Sequence, residues 1–267
     1  MRFLSELLLC CETTMITYRS PQEIEKIRVS AQLVAATLQH MTEMIAPGVT
    51  TAELDHVAEV YIRRHGGIPA FKGYRGFPAT LCTSINAEVV HGIPSKKRRL
   101  QKGDIIGVDC GAVVDGYYGD HAITFAVGEI DEDVRQLIAL TKAALYAGIA
   151  QAKVGNYLSD ISHAIQSVAI PRGYGVVKAF VGHGIGTALH EEPQVPNFGP
   201  PGRGPRLRQG MVLALEPMFN MGTCEVHILN DNWTVVTADG KLSAHFEHTV
   251  TVAEHGGIIL SQFDQSC

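Results

Sequence analysis

Pro47-Gly48-Val49 leads into Leu54-Asp55-His56-Val57-Ala58, and Val154-Gly155 leads into Ile161-Ser162-His163-Ala164-Ile165. The two stretches align at a constant offset of 107 residues, so Gly48 falls on Gly155 and His56 on His163. Their surroundings repeat as well. Upstream of the first copy, Ser20-Pro21-Gln22-Glu23 is a capping box with proline at the first helical position. Apolar residues then recur at Ile24, Ile27, Ala31, Val34, Leu38, Met41 and Ile45, one face of an amphipathic helix that Pro47-Gly48 stops. Thr50 and Glu53 start a second helix, which ends at Gly66-Gly67. Strands are predicted near 81–85, 105–109 and 122–127, with Asp115-Gly116 as a hairpin turn between the last two. In the second half, Asp131 opens a helix running towards Lys153 and Ser159 opens another. Strands follow near 177–181, 212–216, 233–237 and 249–252, and the Gly/Pro-rich stretch 199–210 reads as a surface loop. The matching order of elements predicts an α+β fold of two duplicated, pseudo-symmetric halves. Helices would cover one face of the joined sheets, and a cleft would follow the axis between the halves.

The chain has 267 residues, of which 27 are acidic and 22 basic, for a formal net charge of −5; 46% of it is hydrophobic and 18% charged. Such a composition buries a sizeable core and excludes a disordered chain. Mild acidity supplies no global field for gathering nucleic acid, so no nucleic-acid sequence recognition is expected. The basic run Lys96-Lys97-Arg98-Arg99 reads as a solvated turn. No apolar stretch approaches the span of about 20 residues that crosses a bilayer, and no membrane association is expected. Cys10, Cys11, Cys82, Cys110, Cys224 and Cys267 have no C-x-x-C spacing and read as reduced thiols of a cytoplasmic protein. Residues 1–14 are expected to be an N-terminal extension from a start assigned too early, because Met15 directly precedes the first well-formed element. Residues 15–267 are expected to form a single catalytic domain.

Several segments carry candidate chemistry. Asp109 and Asp120 lie on opposite strands of the predicted hairpin, where antiparallel pairing can bring them face to face. Without a cation they would repel, and aspartate is depleted in strands. Taken alone, they also fit turn and strand-edge aspartates. Glycines flank His183 in Gly182-His183-Gly184-Ile185-Gly186, and His190-Glu191-Glu192-Pro193 follows. Glu216 ends the apolar run Met211-Val212-Leu213-Ala214-Leu215, where an unpaired glutamate is costly to bury. Glu247 adjoins a predicted strand, and His91 stands before the turn Gly92-Ile93-Pro94. Each has an ordinary structural reading by itself. Together, the carboxylates Asp109, Asp120, Glu216 and Glu247 carry a charge that two divalent cations would neutralise. An oxygen-rich site with one imidazole suits Mn, Fe or Co, and two such ions can activate a bridging water.

At these residues the sequence resembles the methionine aminopeptidases, type I and bacterial-like, of the pita-bread fold. The resemblance runs from Met15 to Val252 through Ser84-Ile85-Asn86, His91-Gly92-Ile93-Pro94, Asp109 with Asp120, Gly182–Gly186, His190–Pro193, Glu216-Pro217 and Glu247-His248. It implies a central dinuclear metal cleft, with Asp109 on one divalent ion (Co, Mn or Fe) and His183 and Glu216 on the other. Asp120 and Glu247 would bridge the two. It further implies hydrolysis of the first peptide bond by a metal-activated water, with Glu216 moving protons, His190 bonding the developing oxyanion and His91 contacting the scissile amide. The methionine pocket would be Phe71, Tyr74, Phe77, Cys82, Leu189 and Trp233; Trp233 taken alone fits a core anchor equally well. The chain departs from common family residues at Phe71, Phe77, Leu189, Val90 and His121, none of them an expected ligand. His121 reads as an outward-facing strand residue, with tuning of the metal site as the other reading. Only 25 residues separate His190 from Glu216, which leaves no room for the helical insertion of type II relatives. The implied activity is removal of N-terminal methionine from nascent chains when the second residue is small, by a monomer in transient contact with the ribosome. The alternatives are an aminopeptidase P or prolidase-like Xaa-Pro peptidase of the same fold, and a non-catalytic peptide- or ribosome-binding protein.

Overall fold

Ser20 opens helix α1 (Pro21–Thr42): its hydroxyl accepts from the Glu23 backbone N–H, while the Glu23 carboxylate accepts from the Ser20 N–H. Thr50 and Glu53 repeat this arrangement at α2 (Thr51–Arg64). These elements belong to a computed structural model that describes residues 15–262. The expected extension 1–14 and the last five residues lie outside the described residues. In the second half, α3 (Glu132–Gln151) follows Asp131 and α4 (Leu158–Ala169) follows Tyr157.

The hairpin is longer than its sequence suggests. After β1 (Leu81–Ile85), β2 (Ile105–Val114) and β3 (Tyr117–Ala126) pair over ten residues each. Asp115 and Gly116 turn the chain with φ of 50° and 80°, a two-residue primed turn whose twist matches the flanking strands. With β4 (Gly182–Gly184), β5 (Val212–Leu215) and β6 (Glu247–Thr251), the antiparallel sheet runs β1-β2-β3-β6-β5-β4. Its central pair, β3 and β6, is registered at only two positions, Ala122 with Glu247 and His121 with His248.

Side-chain alternation along these strands separates core from cleft. Ile106, Val108, Cys110 and Ala112 pack with Leu38, Leu54 and Ile62 of α1 and α2. Leu213, Leu215 and Val250 pack with Leu137, Leu145, Ile161 and Ile165 of α3 and α4. All four helices therefore cover one face, and the intervening residues Asp109, Asp120 and Glu247 turn to the other. The hairpin lies tightly on α1. A Cβ at Gly119 would sit 2.3 Å from the Ala31 nitrogen, so only glycine fits there.

The offset of 107 reappears as hydrogen bonds. Gly48 N–H donates to the Leu100 carbonyl at 2.8 Å, and Gly155 N–H to the Leu207 carbonyl at 3.0 Å. Arg99 Nη1 donates to the Gly48 carbonyl and Arg206 Nη1 to that of Gly155, both at 2.6 Å. Glu53 accepts from the Thr50 N–H and Asp160 from the Tyr157 N–H, both at 2.7 Å. The strands follow suit: Gly107 of β2 faces Ser84, and Ala214 of β5 faces His183.

Some expectations need correction. Residues 177–181 are not a strand; short strands at Gly175–Val176 and Gly182–Gly184 flank them. Val177 is tied by its N–H to the Met218 carbonyl, but the chain then turns Phe180 edge-on to His91. α4 starts at Leu158 rather than Ser159, in register with Thr51 of α2. The strand expected at 233–237 is limited to Val235–Thr237, because Asp231 holds the Trp233 and Thr234 N–H groups in a turn. Short strands at Glu88–Val90 and Glu191–Val195 had no distinct sequence signal.

Candidate active site

Asp109 and Asp120 stand diagonally across the hairpin rather than face to face. Asp109 is opposite Ala122, and Asp120 is opposite Gly111. The even offset puts both carboxylates on one face of the pleat. Glu247 joins them because it lies beside Ala122 in β6. Glu216 directly follows β5, whose last residue, Leu215, pairs with His248. All four acids line one cleft together with His91, His183 and His190.

Burial dominates the electrostatics of these acids. It raises Asp109 to about 7 and drives Asp120, Glu216 and Glu247 well above the usual carboxylate range. Mutual repulsion adds to the last three: Glu247 and Asp109 act on Asp120, Asp109 and Asp120 on Glu216, and Glu216 and Asp109 on Glu247. Among the described residues, Oδ1 of Asp109, Oδ1 of Asp120 and Oε1 of Glu247 are buried without hydrogen-bond partners. Unpaired buried carboxylate oxygens are costly, and cations would satisfy them. Asp120, His183 and Glu247 offer ligand atoms within 4.8 Å of one another. Hard oxygen donors with one imidazole fit divalent ions.

His183 is oriented for that role. Its Nδ1 is 2.9 Å from the Gly184 carbonyl, which can only accept, so Nδ1 carries the proton and Nε2 presents its lone pair. Nε2 lies 3.5 Å from Glu216 Oε1. Burial lowers the His183 ring to about 4, which keeps it neutral. His190 stacks against Tyr74, and its Nδ1 is 2.9 Å from the Tyr74 hydroxyl. Desolvation first, then His183, Arg75 and His91, lower it to about 3. His91 is held at φ 60° between Val90 and Gly92, edge-on to Phe180, and desolvation lowers it to about 4.

The six residues expected to receive methionine also line the cleft. Phe71, Phe77, Cys82 and Leu189 are buried, and Phe77 meets Trp233 edge to face with ring centroids 5.1 Å apart. Phe71 packs on Gly111, where a Cβ would come within 2.6 Å of Phe71 Cε1. His121 is corrected: it is buried under the helices, on the sheet face away from the acids, and stacks on His248 at 4.3 Å. Its Nδ1 donates to the Glu247 carbonyl. Two residues near the acids escaped the sequence reading. His245 Nε2 is buried without a partner, 3.9 Å from Glu216 Oε2. Arg75 lies at the cleft wall, in a turn that its flanking Gly73 and Gly76 signal in the sequence.

The model of metallopeptidase family M24 matches residues 25–254. The chain belongs to this family. Within M24 it is 53% identical to the methionine aminopeptidase of Clostridium acetobutylicum, over 92% of this chain and 99% of that one. It is 50% identical to methionine aminopeptidase 1 of Bacillus subtilis, over 93% and 100%. These relatives place it among the methionine aminopeptidases of the family. The crystal structure of the Thermotoga maritima methionine aminopeptidase superposes with a TM-score of 0.91 at 44% identity, covering 93% of this chain and 100% of that one. The prolidase of Pyrococcus horikoshii OT3 superposes at 0.75 with 21% identity, over 64% of its length, which shows the shared M24 pita-bread fold alone. Among the described residues, no helix is long and apolar enough to cross a membrane.

Proposed function

We propose that this chain removes N-terminal methionine from peptides and nascent proteins when the second residue is small, with Asp109, Asp120, His183, Glu216 and Glu247 holding two divalent cations. One observation carries the reading: four carboxylates and a proton-oriented imidazole converge in a buried cleft while three carboxylate oxygens lack partners. Bound there, the cations would supply charge neutralisation, Lewis acidity and a water of lowered pKa. Co, Mn and Fe all suit the donor set.

The chain's own groups do the rest. Glu216 takes the proton of the attacking water and delivers it to the departing amine, the work of a carboxylate whose buried setting raises its basicity. With the Tyr74 hydroxyl donating to Nδ1, His190 presents Nε2–H to the oxygen that gains negative charge. His91 contacts the scissile amide. Phe71, Tyr74, Phe77, Cys82, Leu189 and Trp233 take the methionine side chain, whose flexible thioether suits apolar and aromatic walls. The same reading takes residues 15–267 as a single catalytic domain that acts as a monomer. Among the described residues, Cys82, Cys110 and Cys224 are free thiols, which fits a reducing, cytoplasmic setting. Contact with the ribosome is part of the same reading, because a nascent chain meets the enzyme there.

The Xaa-Pro reading is not favoured, since it rests on the fold alone, and none of the five expected ligands is missing as a binding-only protein would suggest. Protein loaded with Mn, Co or Fe should release methionine from Met-Ala-Ser and spare a peptide with a bulky second residue. Cleavage confined to Xaa-Pro bonds, or no turnover by folded protein with any of these metals, would overturn the proposal.

A further inference from the structure

Arg75 reaches the cleft through an unusual piece of backbone. The turn Gly73-Tyr74-Arg75-Gly76 has φ of 90° at both glycines and 48° at Arg75. It is closed by Gly73 N–H to the Phe77 carbonyl at 2.8 Å and by Phe77 N–H to the Tyr74 carbonyl at 2.9 Å. A non-glycine residue in the left-handed region is strained, and such strain clusters where a side chain must be aimed. Here it aims two neighbours at one cleft. Tyr74 joins His190 through its hydroxyl, and the Arg75 guanidinium lies 5.4 Å from the centre of the Tyr74 ring. Among the described residues, no carboxylate forms an ion pair with Arg75. It is an exposed cation with no carboxylate partner among the described residues, on the wall of a cleft lined by four acids.

We propose that Arg75 is a specificity residue that favours substrates with a carboxylate at the third position. This rests on the peptidase reading, in which His190 faces the carbonyl of the first residue, and it places the residues that follow along the cleft wall that Tyr74 and Arg75 share. An extended chain advances about 3.3 Å per residue. The third side chain therefore clears the His190–Tyr74 pair and comes within the sweep of a long guanidinium, which matches carboxylate geometry in a two-pronged contact. A lysine at that position would be repelled. The contact is remote from the bond being broken, so it acts on substrate capture and not on the chemical step.

The test compares Met-Ala-Glu-Ala-amide, Met-Ala-Gln-Ala-amide and Met-Ala-Lys-Ala-amide on the metal-loaded enzyme. The native enzyme should favour the Glu over the Lys peptide by about fivefold in kcat/KM at low salt, the scale of an exposed ion pair. The difference should lie mainly in KM and shrink in about 1 M salt, where charges are screened beyond about 3 Å. Arg75→Lys should keep the preference, Arg75→Gln should bring the ratio to unity and Arg75→Glu should invert it. Equal rates on the native enzyme, or a preference that survives Arg75→Gln, would overturn the role; the native salt series reads it even if a variant folds poorly. Failure to release methionine from all three peptides would instead overturn the peptidase reading, and this proposal with it.

Discussion

Asp109 and Glu216 occupy the same place in the two halves of the molecule. Asp109 stands two residues beyond Gly107, which faces Ser84, and Glu216 stands two residues beyond Ala214, which faces His183. The duplication thus sends one carboxylate from each half into the cleft by the same local geometry. Their environments then diverge: the carboxyl of Asp109 abuts Asp120, whereas Glu216 lies between His183 and His245. That second setting suits proton transfer.

Glu216→Gln keeps the side chain's shape but removes its basicity. It should lower kcat by about 10²–10⁴-fold, the usual contribution of a positioned acid–base group. Thermal unfolding should still be cooperative, with the Tm near that of the native protein. A kcat close to native would remove Glu216 from proton transfer.

The metal-free protein should lose stability as pH rises above about 6.5, because the buried acids, joined towards pH 8.5 by the raised thiols of Cys82 and Cys110, then keep protons that the unfolded chain has lost. Burial raises Asp109 from an ordinary 3.8 to about 7, and it raises the other three acids well above the usual carboxylate range. The folded chain therefore holds more protons than the unfolded one, and stability is lost as pH climbs through the folded values. Below pH 6.5, buried His91, His121, His183, His190 and His245, lowered from that value, work in the opposite sense. In EDTA, Tm should fall from pH 6.5 to pH 8.5, and saturating Mn should abolish the fall. Calorimetric titration in buffers of different ionisation enthalpy should show protons released as Mn binds. A rising Tm in EDTA over this range would contradict the arrangement.

Gly111→Ala should narrow the methionine pocket from behind. The added methyl meets Phe71 Cε1 at 2.6 Å and the Ala70 Cβ at 3.1 Å, so Phe71 must move towards the cleft. Overpacking of this kind costs about 1–3 kcal/mol of stability. KM for a methionyl peptide should rise by about tenfold, on the scale of one methylene misfit in an apolar pocket. An unchanged KM would show that Phe71 does not shape the pocket.

The long-period features of this molecule were legible before its structure. Ile106, Val108 and Cys110 alternate with Gly107 and Asp109, and that rhythm already assigns Asp109 to the face opposite the core. Gly48 and Gly155 both adopt positive φ, which is why the repeat was visible in their sequence. The five expected ligands line one cleft, four from strands and Glu216 just after one, and Asp120, His183 and Glu247 offer atoms within 4.8 Å of one another. Less legible were features that depend on a distant partner. Short strands such as Glu88–Val90 exist only because Val235–Thr237 pairs with them. His121 was misplaced because a histidine beside an aspartate reads as polar surface, whereas α1 and α3 bury it. Arg75 and His245 were missed for the complementary reason: nothing in the local chain says that one will reach the wall of an acidic cleft and that the other will lie 3.9 Å from Glu216.

The narrow central ladder gives the cleft a mechanical side. Between β3 and β6 only two residue pairs are in register, against ten between β2 and β3. Asp120 and Glu247 belong to the two strands of that seam, and ionising both carboxyls would push its margins apart. A cation shared by Asp120 and Glu247 would reverse the sign of that force and rivet the halves together. Amide exchange at Ala122 and His248 should then slow on metal loading more than exchange within the ten-residue hairpin, which is fastened along its length.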